Sequence, residues 1–169
     1  MARSIALLLI DVQRDVLRGV GPAERWPQTE QCFEETVHRL CEVKERAHAA
    51  GVRTILVQHA GSRGHRLETG SPGWQLHPAL PRQDGDKVIE KTTSDSFYRT
   101  DLQKLLEEEH IRTLVVGGFL SQYCVDLSVR HAIDLGYDVT LLSDGHSTCD
   151  DAGLSFQQIQ KYERGANRI

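Results

Sequence analysis

The chain has 169 residues, 39% of them apolar, which is enough to bury one substantial core and too few for two ordinary domains, so a single domain spanning 1–169 is expected. Its formal net charge of -4 comes from interspersed acidic and basic residues with no block of like charge, which argues against a nucleic-acid or membrane surface and leaves small molecules as the expected partners. The opening MARSIALLLIDVQ holds an apolar run far shorter than the roughly 20 residues of a membrane span, and Asp11 follows where a signal peptide would place small residues, so the chain is expected in the cytoplasm.

Ile5 to Ile10 is a continuous apolar run, the pattern of a strand covered on both faces. After Pro22 and Pro27, residues 29–50 carry Phe33, Val37, Leu40, Val43 and Ala47 at helical spacing, and Gly51 stands where a helix C-terminus favours glycine. Val52 to Gln58 reads as a second strand. The stretch from His59 to Asp86 is too rich in Gly and Pro for regular structure over most of its length, and loops this long are usually functional. Lys87 to Glu90 reads as a third strand, and Thr100 caps a helix in which Leu102, Leu105 and Leu106 share a face. Thr113 to Val116 is a fourth strand, broken at Gly117 and Gly118. A helix then opens at Ser121 and stops at Gly136, and Asp138 to Leu142 is a fifth strand with the turn SDGHST behind it. Strand and helix alternate throughout, which predicts a three-layer α/β/α domain with a central parallel sheet.

In such sheets the ligand crevice lies beyond the carboxyl ends of the strands. Asp11 ends the first strand, Lys91 the third, and Cys124 follows the fourth in the first turn of its helix, so a carboxylate, an ammonium and a thiol are expected at one crevice. The positive end of the helix dipole there favours thiolate, which predicts a pKa below the free value of roughly 8.5. Cysteine is a nucleophile, aspartate accepts and returns a proton, and lysine stabilises both anions. Each residue alone has a plainer reading: Cys124 as a small buried hydrophobe, Asp11 as a turn residue, Lys91 as a solvated charge. The other cysteines, Cys32, Cys41 and Cys149, show no CxxC spacing, and reduced thiols are expected. Cys32 and Cys41 read as packing residues, and Cys149 lies in the loop after the fifth strand.

LLLIDVQ, VIEKTTSDSFYRTDL and VVGGFLSQYCVDLSVRHAIDLGYDVTLLSDGHST resemble the three blocks of the isochorismatase-like cysteine hydrolases, whose fold has Rossmann-like topology, and the match spans most of the chain. The resemblance implies a catalytic triad of Asp11, Lys91 and Cys124 and attack of the sulfur on an amide or ureido carbonyl through a thioester. It also implies an oxyanion hole from the N–H groups of Leu120 and Cys124, with a cis peptide before Leu120. Other readings stay open: hydrolysis of another bond type, a binding protein without turnover, or a module in which Cys124 is oxidised.

Two departures bear on the substrate. Metal-dependent relatives carry Asp-x-His after the second strand, whereas this chain reads Val57, Gln58, His59, so no metal is expected. Retention of the cysteine favours C–N cleavage over isochorismatase chemistry. Gly117 and Gly118 lack the spacing of a dinucleotide fingerprint, so no cofactor is expected. The tail QQIQKYERGANRI is too polar for the sixth strand usual in the family, leaving a sheet edge for a partner subunit; a homo-oligomer, dimer or tetramer, is expected. Around the crevice, Trp74 and Phe97 read either as apolar walls or as packing, and Gln13, Ser121 and Tyr123 as polar contacts, Ser121 alternatively as the helix N-cap. His59 reads as a substrate neighbour or as a base for the cysteine, a task His131 is too far along its helix to take.

Overall fold

The structure, a computed structural model, describes residues 4–166. Residues 1–3 and 167–169, the ends of the expected domain and of its polar tail, lie outside the described residues. Five strands, β1 (Ile5–Ile10), β2 (Arg53–His59), β3 (Lys87–Lys91), β4 (Thr113–Phe119) and β5 (Asp138–Ser147), form one parallel sheet in the order β3-β2-β1-β4-β5. The chain leaves β1 toward β2 and β3 on one side, then returns to place β4 and β5 on the other, so the switch point lies between β1 and β4.

The apolar run of β1 is buried on both faces. Ala6, Leu8 and Ile10 point into a core shared with Ile55, Val57, Leu114 and Val116 under helices α2 (Leu102–Glu108) and α3 (Asp126–Asp134). Leu7 and Leu9 point the other way, against Phe33, Val37 and Leu40 of helix α1 (Trp26–Ala49). These are the three layers expected.

Helix α1 begins three residues earlier than the sequence pattern suggests, because Pro27 falls in its first turn, where a missing N–H costs nothing. It ends as expected: Gly51 takes φ 67°, Val52 N–H donates to the Ala47 carbonyl at 2.8 Å, and Gly51 N–H to that of His48 at 3.0 Å.

Gly117 and Gly118 do not break β4. They let it approach its neighbours: a Cβ on Gly118 would lie 2.0 Å from the Ile10 carbonyl oxygen, and one on Gly117 2.7 Å from that of Gly145. Strand β5 likewise runs through the segment expected as a turn, re-pairing after a register irregularity so that His146 lies opposite Gly118. The polar tail, unsuited to a strand, instead forms helix α4 (Phe156–Ala166), which buries Phe156 and Ile159 and packs against β5 and the turn that follows β4.

The long segment after β2 is packed down. Leu67 and Leu80 are buried in the core beneath α1, and the backbone of residues 73–77 bonds to residues 12–15. Its far end is held by a buried ion pair between Lys44 of α1 and Asp86, 2.7 Å apart.

Candidate active site

The three candidate residues arrive from three strand ends. Asp11 follows β1 with a left-handed φ of 53°, its N–H still bonded to the Val57 carbonyl at 2.9 Å, as though the strand pairing continued one residue further. Lys91 is the last residue of β3, and Cys124 lies in a wide π-helical turn, Ser121–Val125, between β4 and α3. The Phe119–Leu120 peptide that leads into this turn is cis, as the resemblance implied.

Lys91 is 1% exposed, and its ammonium uses all three protons: to Asp11 Oδ2 at 2.7 Å, to the Thr93 carbonyl at 3.0 Å, and to Cys124 Sγ at 3.3 Å. Burial by itself would lower the Lys91 pKa. The carboxylate charge of Asp11, and the interactions and hydrogen bonds with Asp11 and Cys124, outweigh it, and the net shift is upward, so the cation is kept. Asp11 is 2% exposed, and its second oxygen, Oδ1, is buried without a hydrogen-bond partner among the described residues.

The sulfur departs from the sequence expectation. Burial, reinforced by the charge of Asp11, pushes the Cys124 thiol up from 9.0 to about 12 against the opposing pull of Lys91. A helix-end dipole acts through a regular first turn, and here that turn is π-wound. These surroundings favour the protonated thiol over a standing thiolate.

Several neighbours also differ from expectation. Ser121 is not an N-cap: its hydroxyl lies 2.8 Å from Nδ1 of the buried His146, and it is itself buried. The Leu120 carbonyl instead takes the N–H groups of Tyr123 and Val125, each at 3.2 Å. Gln13 is wholly buried, and its amide is taken up by main chain. Its amide donates to the carbonyls of Trp74 at 2.7 Å and His59 at 3.1 Å and accepts the His59 N–H at 2.9 Å, which fixes the long segment to the end of β2. Phe97 belongs to the core, its ring near those of His131 and Tyr137.

Trp74, His59 and Tyr123 are less enclosed. Trp74 is half-buried, and its indole Nε1 is a buried donor without a partner among the described residues. His59 is half-buried, with its pKa lowered by burial and then by the charge of Lys91, so the imidazole is neutral near pH 7; it makes no hydrogen bond to the sulfur. Tyr123 is 44% exposed, and its hydroxyl donates to Asp151 in the loop after β5. His131 is held by Asp95 at 2.6 Å, and Cys149 is buried next to Gly21; all four cysteines are free thiols. Sequence reading missed Thr93, Ser96, Ser128, His146 and Asp151, whose roles depend on contacts between segments far apart in the chain.

Among the described residues no group of three or more His, Cys, Asp or Glu side chains is placed to hold a metal ion, and no helix is long and apolar enough to cross a membrane.

A parallel sheet with an aspartate, a lysine and a cysteine gathered at its switch point defines a Rossmann-like α/β fold with a cysteine-bearing turn. Comparison with known proteins places it further. The isochorismatase domain model matches residues 5–168, and the chain belongs to the isochorismatase family of hydrolases. It is 36% identical over 147 residues to a streptothricin hydrolase of Streptomyces noursei, covering 86% of this chain and 50% of that protein, and so spans about half the length of that relative. It is 29% identical over 97 residues to the ureidoacrylate amidohydrolase RutB of Rhizobium rhizogenes, covering 57% of this chain and 39% of that one. The crystal structure of an isochorismatase from Pseudomonas putida KT2440 superposes with a TM-score of 0.86 at 29% identity, covering 98% of this chain and 84% of that one.

Proposed function

We propose that this chain is a cysteine hydrolase that cleaves an amide or ureido C–N bond of a small molecule without a metal or cofactor. One observation carries the reading: Lys91 Nζ bridges Asp11 Oδ2 and Cys124 Sγ while Asp11 Oδ1 is buried and has no hydrogen-bond partner among the described residues. A buried acceptor without a donor costs about 1–3 kcal/mol, and a proton arriving from the neighbouring thiol removes that cost.

Asp11 takes the thiol proton as Sγ attacks the carbonyl carbon, so no free thiolate accumulates and the raised thiol pKa is no obstacle. Lys91 holds the carboxylate in register and stabilises the sulfur as charge develops on it. The carbonyl oxygen becomes an oxyanion that accepts from the N–H groups of Leu120 and Cys124, donors of a kind whose individual loss slows reactions by about 100 to 1,000 fold. Asp11 then gives its proton to the leaving nitrogen, the C–N bond breaks, and a thioester remains on Cys124. A water deprotonated by Asp11 hydrolyses it and restores the thiol. His59, Trp74 and Tyr123 border the substrate, and the unpartnered Trp74 N–H offers a donor to a polar substituent.

The name of one relative, a ureidoacrylate amidohydrolase, supports C–N chemistry, and that of another, a streptothricin hydrolase, supports hydrolysis. The upward shift of the thiol weighs against an oxidation sensor, because thiolate is the form that oxidants attack. The test is release of ammonia or amine from a panel of small amides and ureides, with mass spectrometry of acid-quenched enzyme. Turnover with an acyl adduct on Cys124, absent from Cys124→Ala, supports the reading; turnover retained by Cys124→Ala overturns it.

A further inference from the structure

The nucleophile sits on a turn with no side-chain cap of its own, and yet its sulfur must hold station against a lysine carried by a different strand. Beneath it lie two serines. Ser128 Oγ donates to the Cys124 carbonyl at 2.6 Å, lies 2.7 Å from Ser96 Oγ, and accepts the Ser96 N–H at 3.0 Å. Ser96 is 0% exposed and Ser128 1%. Ser96 stands five residues after Lys91, in the segment whose Thr93 carbonyl takes one of the Lys91 protons, and its own carbonyl accepts the Thr100 hydroxyl at 2.6 Å. One turn further along α3, His131 grips the adjacent Asp95, so residues 95 and 96 hold the same face of that helix at two points.

A serine that bonds only to the carbonyl four residues back is a local feature that bends a helix slightly. Here the same oxygen also meets a serine from the lysine-bearing segment, which turns a local bond into a link between the two halves of the site. We infer that Ser96 and Ser128 are positioning residues: a buried clasp that sets the distance between Lys91 Nζ and Cys124 Sγ. They touch neither the sulfur nor the substrate, and act through the Cys124 backbone. The inference rests on the proposed cysteine chemistry for its value to the reaction, and its geometry stands apart from it.

The test uses Ser128→Ala, Ser96→Ala and Ser128→Thr, the last because threonine in a helix makes the same bond to the carbonyl one turn back. Far-UV circular dichroism confirms that each variant folds, and the rate of Cys124 alkylation by iodoacetamide is followed from pH 7 to 10, alongside kcat and KM on whichever amide is cleaved. Loosening the clasp draws the cation from the sulfur, so both alanine variants are expected to alkylate more slowly at a given pH and to lose about 10 to 100 fold in kcat with KM little changed, as small misplacements do. Ser128→Thr is expected to restore both. Should Ser128→Ala fail to fold, Ser96→Ala puts the same question from the other side of the contact. Wild-type alkylation in folded alanine variants overturns the clasp, as does a loss that Ser128→Thr shares. Alkylation reads the clasp even if no amide is hydrolysed, and normal hydrolysis by the alanine variants sinks the clasp while leaving the hydrolase reading intact.

Discussion

Among the described residues the fold contains two buried lysine–aspartate pairs, and they differ in a way that separates structure from chemistry. Lys44 and Asp86 are 2.7 Å apart and 3% and 4% exposed; Lys91 and Asp11 are also 2.7 Å apart, at 0% and 2%. In the first pair the remaining groups are main chain: Lys44 donates to the Pro81 carbonyl at 2.6 Å, and Asp86 Oδ2 accepts the Gln83 N–H at 2.8 Å. That pair pins the end of the long segment to α1. In the second, the lysine's further partners are the Thr93 carbonyl and a thiol, and one carboxylate oxygen has no donor among the described residues. Burying two charges is costly, and an ion pair repays it only with good geometry and further hydrogen bonds. What marks the second pair as a site is therefore the deficit beside it: an empty acceptor within the influence of a protonatable sulfur.

Breaking each pair should have opposite signatures. Asp11→Asn keeps the shape and removes the base, so hydrolysis is expected to fall by about 100 to 10,000 fold, measured as kcat/KM on a cleaved amide. Lys44→Met leaves Asp86 buried without its cation and is expected to cost about 3–5 kcal/mol in urea unfolding, with the activity of the molecules that remain folded unchanged. Loss of activity in proportion to the folded population in both variants would erase the distinction.

A smaller effect lies in the alkaline limb of stability. The folded-state pKa of Cys124, about 12, lies above the ordinary thiol value of 9.0, so between the two the native chain holds a proton that the unfolded chain has released. Its contribution is intact below pH 9.0 and is lost as the pH rises toward about 12. Lys91, also shifted upward, adds a loss of the same sign, present below its unfolded value and gone as the pH passes its folded one. Cys124→Ala should therefore flatten the decline of the melting temperature above pH 9, and an unchanged decline would place its cause elsewhere.

The frame of this comparison was legible in the sequence wherever local pattern sufficed. The apolar run of β1, the helical spacing of α1 and its Gly51 terminus, and the positions of Asp11 after β1, Lys91 at the end of β3 and Cys124 after β4 follow from periodicity and from where ligands sit in parallel sheets. Long-range contacts decided the rest. Gly117 and Gly118 look like a break until Gly145 and Ile10 are seen pressed against them, and Ser121 looks like a cap until His146 arrives from a strand that itself looked like a turn. The raised Cys124 thiol belongs to the same class: the helix end was visible in the sequence, while the burial and the Asp11 charge that overrule it were not. Nothing local distinguishes Gln13, an anchor of the long segment, from a residue that would touch a ligand.

The control that Asp11 exerts over the sulfur is read most directly by measuring the rate of Cys124 alkylation by iodoacetamide against pH, by mass spectrometry, in the wild type and in Asp11→Asn. In the wild type the rate should still be climbing at pH 10. In Asp11→Asn, where the carboxylate charge is gone and Lys91 alone faces the sulfur, the curve should shift to lower pH, so that the variant alkylates faster near neutrality while failing to hydrolyse amides. Superimposable curves would mean that Asp11 does not govern the thiol, and the proposed division of labour between the two residues would fall.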